Sequence, residues 1–558
     1  MRSKVLRLRG LVRRYRVDRR LPPQVMALFT ETTSLRRTAA RRHREARRRP
    51  VVGPIGAATA TGVLDNRRVV VAGPLDRSTA DLGHDNAQTV LQSLRSNDVD
   101  AFVVDRSGDG LEFGIALDDR SAALGALVTH LAGDGWMLRW FDGAHDGLVA
   151  VPLAGTDKHV RRARTWRVFR AYGWGDEAIG EQQATEISFW QVGSSGRSER
   201  IGTRGHERFD VRSRPTVEAI DGREYPGLTA FPVGANLEHV AEPIDIVYTW
   251  VDGSDPAWIE SFRTTAQAAG RSVDDVALDD ARYRSRDELR YSLRSVWAYC
   301  GWVRKIWIVT AGQRPDWLID DERVQVVDHA EILPSEALPT FNSHAIESAL
   351  HHIDGLAEHF VYFNDDMAIG RPIRPELFFT PNGLARVFQS GARVEGAEDE
   401  HTLAVDTGAL RGRELLAERF GRVVTHKPLH APYPLRRSTL QRMEAEFPDI
   451  VGRTAHSRFR SPSDLSIAAS FAQHYGLAVA DSVLGDISSE YVHVESGRLQ
   501  WHLDRIRLSG AFDTFCINET HSAAGGARDR EERISAFFET MFPIASPWER
   551  EPSQGSGA

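Results

Sequence analysis

Between residues 243 and 370, short apolar runs alternate with helical patterns, and each run ends in polar or turn-forming residues. The runs IDIVYT, KIWIVT, VQVVD and HFVYFN are rich in β-branched and aromatic residues, as strands are. Helical patterns cover residues 282–302 and 344–360. Strands that alternate with helices form a mostly parallel sheet covered by helices on both faces. The second half of the chain is therefore predicted to be an α/β, Rossmann-like domain.

The run FVYFNDDMAIG places a polar triplet, Asn364, Asp365 and Asp366, at the end of a predicted buried strand that Gly370 then interrupts. Mg²⁺ prefers hard oxygen ligands and neutralises phosphate charge, so a carboxylate pair at a strand end suits an enzyme that handles nucleotide diphosphates. An ordinary turn or helix cap gives the same pattern. The pair predicts a Mg²⁺ (or Mn²⁺) site at Asp365 and Asp366.

Three further residues of this half are candidates for substrate binding. Asp252 follows the first strand, and ligands of open α/β sheets bind beyond the carboxyl ends of strands, although a polar turn explains it too. Arg290 and Arg294 lie four residues apart on a predicted helix, where their guanidinium groups could bind phosphate oxygens. A solvated or ion-paired helix face is the alternative for the two arginines.

Composition limits the class of protein. With 558 residues, 41% hydrophobic and 26% charged, the chain can form two or three globular domains. The two cysteines, Cys300 and Cys516, cannot form a disulfide framework and are expected to be free core thiols in a reducing compartment. No run reaches the roughly 18 to 20 apolar residues that span a bilayer, and the N-terminus lacks a signal-peptide core. We expect a cytoplasmic protein.

The net charge of −7 is unevenly distributed, since residues 1–50 hold 17 basic and 3 acidic side chains. Such a basic segment with interleaved apolar residues could lie on an anionic membrane surface, which would place the protein at the inner face of the membrane. An inert, solvated tail is the alternative, and nucleic acid is not an expected partner.

Residues 51–240 are predicted to form a mixed α+β accessory domain. Short apolar runs such as RVVVAGP, DAFVVDR and WMLRWFDG alternate with one helical segment, RSAALGALVTHLAGDG, and TEISFWQVG and RFDVRSR predict later strands around a loop rich in Gly and Ser. The domain carries no motif that indicates its role. At the other end, residues 526–558 are predicted to be a helix, ERISAFFETMF, followed by a frayed tail.

Four sequence blocks between residues 243 and 520 occur in one order: IDIVYTWVDGSDP; RYRSRDELRYSLRS through LPTFNSHAIES to FVYFNDDMAIG; HAPYPLRRSTLQRMEAEFPD with FRSPSDLS; and FCINET. This arrangement resembles the Stealth proteins, sugar-1-phosphate transferases that include bacterial capsule polymerases and the lysosomal-enzyme N-acetylglucosamine-1-phosphotransferase. The resemblance implies a catalytic domain over residues 241–525 with a Rossmann-like nucleotide-sugar transferase core.

Matched position by position, the resemblance implies active-site roles for Glu347, Asp366, His430, Arg460 and Asn518. His430 would accept the proton of the acceptor hydroxyl, and Arg460 would neutralise diphosphate charge. Glu347 could orient the acceptor or the water shell of the metal, and Asn518 could hold a phosphate or sugar oxygen.

Some positions leave the resemblance open to alternatives. His426 is the rival of His430, and an ion pair with Asp464 is the structural alternative for Arg460. The chain has Asp252 where animal members carry Asn, and Glu519 follows Asn518 where Asp is usual. These departures concern sugar and base preference.

The implied reaction moves a hexose-1-phosphate or N-acetylhexosamine-1-phosphate from a nucleotide-sugar, in the first place a UDP-sugar, to a hydroxyl of a glycan. A nucleoside monophosphate leaves, and the phosphodiester formed would belong to a cell-surface or exopolysaccharide. One alternative is a metal-dependent glycosyltransferase that attacks the anomeric carbon and releases a nucleoside diphosphate. The other is a non-catalytic glycan or membrane adaptor.

Overall fold

The structure is a computed structural model that describes most of the chain from residue 51 to residue 550. The described residues are 51–52, 60–65, 67–107, 110–133, 135–143, 145–192, 197–201, 208–210, 213–234, 236–271, 283, 286–394, 404–519 and 527–550. The predicted basic tail, 1–50, and the predicted frayed end, 551–558, lie outside them, as does most of the loop rich in Gly and Ser.

The chain divides into two compact units. The first comprises the residues up to Asn236 together with Thr540–Ile544, and the second comprises Leu237–Glu539 with the residues from Ala545 onward. The change of unit at 236–237 lies close to the domain boundary predicted at residue 240.

The first unit contains three short helices and fifteen strands among its described residues. The helices are α1 (Thr79–Arg95), α2 (Arg120–His130) and α3 (Val151–Ala154). The strands are β1 (Val51–Val52), β2 (Thr61–Leu64), β3 (Arg67–Val70), β4 (Ala101–Ser107), β5 (Gly110–Ala116), β6 (Trp136–Asp142), β7 (His145–Ala150), β8 (Thr165–Arg170), β9 (Tyr172–Trp174), β10 (Glu177–Ile179), β11 (Thr185–Val192), β12 (Arg197–Ile201), β13 (Arg208–Asp210), β14 (Pro215–Ile220) and β15 (Arg223–Leu228).

These elements confirm the predicted mixture of helix and strand. A five-stranded sheet has the order β1-β3-β2-β10-β9, a larger sheet runs β13-β12-β11-β8-β6-β7 with β5 and β4 beside β11, and β14 pairs with β15. Helices α1 and α2 bury Val90, Leu94, Leu124 and Leu127 in one core cluster, which also contains Trp166 of β8. The helix predicted from RSAALGALVTHLAGDG is therefore present, and its apolar stripe packs in the core.

The second unit contains the remaining elements. The helices are α4 (Pro256–Ala268), α5 (Glu288–Tyr299), α6 (His329–Ile332), α7 (Ser343–Glu347), α8 (Ala404–Phe420), α9 (Arg437–Glu446), α10 (Pro448–Ala455), α11 (Ala472–Ala478), α12 (Leu499–Ser509) and α13 (Ala527–Met541), whose last two residues belong to the first unit. The strands are β16 (Ile244–Thr249), β17 (Val303–Thr310), β18 (Val324–Asp328), β19 (His359–Asn364), β20 (Met367–Ile369), β21 (Ala385–Arg393), β22 (His426–Pro428), β23 (Tyr433–Arg436), β24 (Ser482–Gly485), β25 (Ser489–His493) and β26 (Thr514–Asn518).

A five-stranded sheet with the order β18-β17-β16-β19-β23 forms the centre of this unit. The first four strands are parallel, and β23 is antiparallel to β19. β16 and β19 are buried along their apolar lengths, as expected for parallel strands covered on both faces. The four predicted strands are all present, and the α/β class is confirmed. The chain leaves the central strand β16 first to one side and later, through β19, to the other.

The amino end of this sheet holds a buried carboxylate whose hydrogen-bonding capacity is fully used. Asp245 of β16 accepts bonds from Arg304 Nε at 2.8 Å and Arg304 Nη2 at 2.5 Å, from Trp307 Nε1 at 2.9 Å and from the amide of Ala357 at 2.9 Å. A buried charge that is paired and hydrogen-bonded in this way fixes neighbouring segments without needing a ligand. Asp245 is therefore a structural residue.

The helix predicted over residues 344–360 is wrong in its length. Helix α7 ends at Glu347, and a single 3₁₀ turn, Leu350–His352, follows before the chain extends into β19. The side chain of Arg437 donates from Nε to the carbonyl of His351 at 3.0 Å, so a tertiary contact satisfies a carbonyl that a longer helix would have used. Gly355 then takes a positive φ of 76° that ends any helical continuation.

Two small sheets complete the unit. One has the order β20-β26-β25 and the other β22-β21-β24. In the first, β20 follows directly after the Asn364–Asp366 turn and pairs with β26, so Met367 lies opposite Cys516. This pairing brings the C-terminal FCIN segment beside the paired aspartates. Among the described residues, none of the helices combines the length and the apolar character needed to cross a bilayer.

Candidate active site

The candidate site lies beyond the carboxyl ends of β16 and β19. These two strands are adjacent and parallel, and Thr249 at the end of β16 is in register with Asn364 at the end of β19. The connections from the sheet run in opposite directions on either side of β16, and ligands of open α/β sheets bind beyond the carboxyl ends of strands at such a point. Asp365 and Asp366 form the turn that follows β19 at this point.

Asp366 is the centre of a cluster of polar side chains from three segments. Asn518 Nδ2 donates to Asp366 Oδ2 at 2.7 Å, and the amide of Ile517 donates to the carbonyl of Asp366 at 3.1 Å. A ring nitrogen of His430, a carboxylate oxygen of Asp366 and the sulfur of Cys516 all lie within 4.8 Å of one another. The predicted residues Asp366, His430 and Asn518 are thus brought together, although Asp366 and Asn518 are 152 residues apart in sequence.

His430 occupies an aromatic pocket beside this cluster. Its Nδ1 lies 3.1 Å from the hydroxyl oxygen of Tyr433, and the ring of Tyr491 packs edge-on at 5.0 Å. Nε2 is buried and has no hydrogen-bond partner among the described residues. Burial lowers the pKa of His430, while the negative charge of Asp366 partly opposes that shift. The ring is therefore neutral at pH 7, with one nitrogen available to accept a proton or bind a ligand.

Asp365 adds a second carboxylate, and Glu288 of helix α5 adds a third. Burial, and then the charges of Asp366 and Glu288, raise the pKa of Asp365 well above its usual value. Burial likewise raises the pKa of Glu288, whose carboxylate accepts a bond from the amide of Arg286. The guanidinium of Arg286 is shared between Glu519 and Glu288, which lies 3.6 Å from its Nη1.

This concentration of carboxylates fits a divalent cation. Oδ1 of Asp366 is buried and accepts no hydrogen bond from a described N–H or O–H group. A carboxylate such as Asp365, whose pKa is raised by burial and by neighbouring negative charges, is one that a bound cation would stabilise in the ionised form. The oxygens of Asp365 and Asp366 suit Mg²⁺, whereas the imidazole and thiol of His430 and Cys516 are softer ligands.

Glu347 forms a second focus of the site, at the end of helix α7. Its Oε2 accepts a hydrogen bond from the amide of Ala468 at 3.0 Å, and its carboxylate also accepts one from the hydroxyl of Tyr362. Burial raises the pKa of Glu347 from 4.5 to about 7, although the positive charge of Arg460 acts in the opposite direction. A carboxyl that titrates near neutrality can hold or release a proton during a reaction.

Arg460 is close enough to Glu347 to affect its charge and is itself exposed. Its Nη2 donates to Ser343 Oγ at 2.8 Å, at the start of α7. The ion pair with Asp464, which was the structural alternative, is absent from the described contacts of Arg460. Asp464 instead accepts bonds from Asn342 Nδ2 at 2.8 Å and from the amide of Ser461 at 2.9 Å. The guanidinium thus keeps donors directed toward solvent.

The sequence analysis missed the residues that connect these two groups. Tyr362 and Tyr433 are opposite each other on β19 and β23, with ring centroids 6.2 Å apart. Burial raises the pKa of Tyr433, and the carboxylates of both Glu347 and Asp366 contribute to that rise. Tyr433 is therefore close enough to both carboxylates for their charges to act on it. Its signal was its position three residues after His430.

Cys516 is free and buried, as expected, but its location beside Asp366 was also missed. Burial and the adjacent Asp366 raise the pKa of its thiol well above the usual value, so the sulfur is protonated at pH 7. The alternation of side chains along a strand was the available signal, because Cys516 and Asn518 must face the same side of β26.

A cavity of about 350 Å³ lies beyond the carboxyl ends of β16, β17 and β18. Its lining includes Trp258, Gln313, His329 and Phe341. The side chain of Asp252 accepts bonds from the amide and hydroxyl of Ser254, so it forms the polar turn that was the alternative to substrate binding. Its backbone nevertheless exchanges two hydrogen bonds with Gln313, which holds that side chain at the cavity wall.

Arg290 and Arg294 take the ion-paired alternative in this structure. Both donate to the carboxylate of Glu549, which is almost completely buried, at distances of 2.6 to 2.8 Å. Two guanidinium groups on one carboxylate fasten the C-terminal segment of this unit to helix α5. These arginines are already engaged away from the paired aspartates, and substrate binding by them is not supported by their contacts.

Four conserved regions of one family match this half of the chain. Stealth protein conserved region 1 matches residues 242–264, region 2 matches 282–387, region 3 matches 429–477 and region 4 matches 504–556. Together they contain all of the candidate active-site residues named above.

Relatives extend this similarity beyond the matched regions. An exopolysaccharide phosphotransferase of Streptomyces coelicolor is 35% identical over 563 residues, which cover 97% of this chain and 90% of that protein. A second one from the same organism is 45% identical over 316 residues, 56% of this chain and 58% of that protein. The exopolysaccharide phosphotransferase CpsY of Mycobacterium tuberculosis is 39% identical over 341 residues, 60% of this chain and 63% of that protein. The chain belongs to the Stealth family of sugar-phosphate transferases, and the predicted membership is confirmed.

Proposed function

We propose that this chain transfers a hexose-1-phosphate or an N-acetylhexosamine-1-phosphate from a nucleotide-sugar to a glycan hydroxyl, in the synthesis of an exopolysaccharide. The observation that carries the proposal is the meeting of Asp366, His430 and Asn518 at the carboxyl ends of β16 and β19. The names of the relatives, exopolysaccharide phosphotransferases, support the same class of reaction.

In the proposed reaction the acceptor hydroxyl oxygen attacks the β-phosphorus of the donor, which carries the sugar. A new P–O bond forms, the bond from the β-phosphorus to the bridging oxygen breaks, and a nucleoside monophosphate leaves with that oxygen. The hydroxyl proton passes to a ring nitrogen of His430, which is neutral at pH 7 because burial lowers its pKa. The hydroxyl of Tyr433 keeps the ring in one orientation through its contact with Nδ1.

Mg²⁺ or Mn²⁺ held by Asp365 and Asp366 would neutralise the charge of the diphosphate. Asn518 fixes the carboxylate of Asp366 through its 2.7 Å hydrogen bond. Arg460 lies close to Glu347 and has exposed N–H groups. These groups bind phosphate oxygens of the nucleotide-sugar. Glu347 orients the acceptor, since its carboxyl is held from two sides by Ala468 and Tyr362.

The donor nucleotide is proposed to occupy the 350 Å³ cavity, with UDP-sugars as the first class to test. Trp258 and Phe341 in its wall supply aromatic surface for a base. The strand order β18-β17-β16-β19, with its change of direction beside β16, supports the proposal of a Rossmann-like nucleotide crevice. The cytoplasmic location and the contact of residues 1–50 with a membrane stay predictions.

Analysis of the nucleotide product tests the proposal. The chain would be incubated with UDP-, GDP- and CDP-sugars, Mg²⁺ and a cell-wall glycan extract. Nucleoside monophosphate that forms only with acceptor supports the proposal, whereas nucleoside diphosphate would identify a glycosyltransferase instead. The absence of turnover with intact nucleotide-sugar binding would favour the adaptor alternative.

Two variants sharpen this experiment. His430→Ala should abolish monophosphate release, while His426→Ala is the matched control, because the ring of His426 contacts only the neighbouring Thr425 in the described structure. Asp366→Asn keeps the shape of the side chain and should lower the rate by at least about 100-fold through loss of its charge. Equal rates for both histidine variants would contradict the assignment of the base.

A further inference from the structure

A second cluster of metal-ligating side chains lies outside the site described above. It consists of His351 and His352 in the 3₁₀ turn after α7 and Glu444 in helix α9. One ligand atom from each of the three lies within 4.8 Å of the others. The proposed reaction uses none of these residues.

The two imidazole rings converge on one carboxylate oxygen. Nε2 of His351 lies 2.8 Å from Oε2 of Glu444, and Nε2 of His352 lies 3.2 Å from the same atom. Ligand atoms around a tetrahedral zinc ion with bonds near 2.0 to 2.1 Å are separated by about 3.3 Å. The two nitrogen-to-oxygen distances therefore differ from that separation by about 0.5 Å or less, and all three atoms lie within 4.8 Å of one another.

A hydrogen bond at Nδ1 orients the ring of His352. Nδ1 lies 3.1 Å from the carbonyl oxygen of Ile332, which can only accept, so Nδ1 carries the proton and donates. The other nitrogen, Nε2, then faces the carboxylate oxygen of Glu444 at 3.2 Å. A metal-ligating histidine that donates its second N–H to a backbone carbonyl is the usual arrangement around bound metals.

The partial exposure of this cluster allows water molecules to occupy the remaining coordination positions of a bound ion. His351 is completely buried, whereas about two fifths of His352 and of Glu444 is exposed. The nearby guanidinium of Arg437 is engaged with the carbonyls of His351 and Leu356, on the backbone side of the turn. Two imidazoles and one carboxylate form a mixed nitrogen and oxygen set that Zn²⁺ binds well and that Mg²⁺ does not select.

We propose that His351, His352 and Glu444 form a binding site for a divalent transition metal, with Zn²⁺ the best match. The ion would join the segment that begins with Glu347 to helix α9. That helix follows β23 and therefore the chain segment that carries His430. The site would act as a structural cross-link that holds the two foci of the active site in position.

Zinc titration of the metal-stripped full chain tests this proposal. Wild type should bind one equivalent that Glu444→Gln and His352→Gln bind at least about 100-fold more weakly, since even the outer partners of a metal site are worth 10- to 100-fold in affinity. Zinc should also raise the Tm of wild type and leave that of Glu444→Gln unchanged. His456→Gln is the matched control, because His456 is an exposed histidine at a helix end whose ring contacts only Gly452.

Cobalt separates this site from the cluster of Asp366, His430 and Cys516 without requiring that any variant fold. Co²⁺ bound by two histidines and a carboxylate gives ligand-field bands without a thiolate charge-transfer band, which binding at Cys516 would add. Thiolate-free binding by wild type supports the proposal. A first equivalent that shows the thiolate band, equal zinc affinity in wild type and Glu444→Gln, or no binding at all would overturn it.

Discussion

The replacement of Glu347 by Gln tests the electrostatics of the site most directly. Burial raises the pKa of this carboxyl from 4.5 to about 7 in the folded protein. The unfolded chain therefore loses the proton at a lower pH than the folded one. The stability associated with protonated Glu347 is fully present below pH 4.5 and is lost as the pH rises through 7. Gln has nearly the same shape and cannot ionise.

The size of the effect follows from the pKa difference of about 2.5 between the two states. One pKa unit corresponds to about 1.4 kcal/mol, so ionisation of Glu347 costs the folded state about 3 kcal/mol at pH 8. At pH 5 the two proteins should differ little in their free energy of unfolding, and at pH 8 the Gln variant should be more stable by about 3 kcal/mol. Urea unfolding followed by circular dichroism, at pH values from 5 to 8.5 with chelator present, measures the difference.

The comparison of the two proteins isolates Glu347, because the other titrating groups, including Asp365 and Glu288, are the same in both. Parallel curves of unfolding free energy against pH would refute the reasoning, since they would mean that Glu347 ionises equally easily in the folded and unfolded chain. A variant that becomes less stable as the pH rises would show that the ionised carboxylate is stabilised, with Arg460 outweighing burial.

Three other substitutions have expected outcomes. Glu549→Gln should destabilise the protein by about 3 kcal/mol, because it leaves two largely buried guanidinium groups without their counter-charge, and a fall in Tm would measure it. Tyr433→Phe should lower kcat by roughly 2- to 10-fold with little change in Tm, because it removes one neutral hydrogen bond to His430. Gly370→Ala should lower the free energy of unfolding by about 1 to 3 kcal/mol, and with it the Tm, because the added Cβ would lie 2.5 Å from the carbonyl oxygen of Phe512. An unchanged Tm for the Glu549 or Gly370 variant, or an unchanged kcat for Tyr433→Phe, would contradict the corresponding contact.

The elements predicted with the best accuracy were the buried strands. β16, β17, β18 and β19 lie where runs of β-branched and aromatic residues end in polar residues, because a parallel strand buried on both faces requires such a run. The length of the helix after Asn342 was overestimated, because the apolar and polar residues there have helical spacing. The hydrogen bond from Arg437 and the positive φ of Gly355 oppose a longer helix, and the spacing of side chains does not encode either of them.

Some features of the candidate site were likewise indicated by the sequence, whereas others became visible only in the structure. Asp366, His430 and Asn518 were found through short sequence blocks, and the structure brings them together. Arg290 and Arg294 were predicted to bind phosphate, and the structure pairs both with Glu549, which is more than 250 residues away and which only the fold brings to them.

The sequence by itself determined the order of strands and helices, the α/β class of the second half and the blocks that define the family. These properties depend on residues close together in the chain, where side-chain periodicity and turn chemistry act. Tertiary structure alone decided which carboxylates lie close to one another, that Glu347 and Asp366 both act on Tyr433, and how His351 and His352 meet Glu444. Desolvation and Coulomb interactions depend on distance in space, and that distance exists only once the chain has folded.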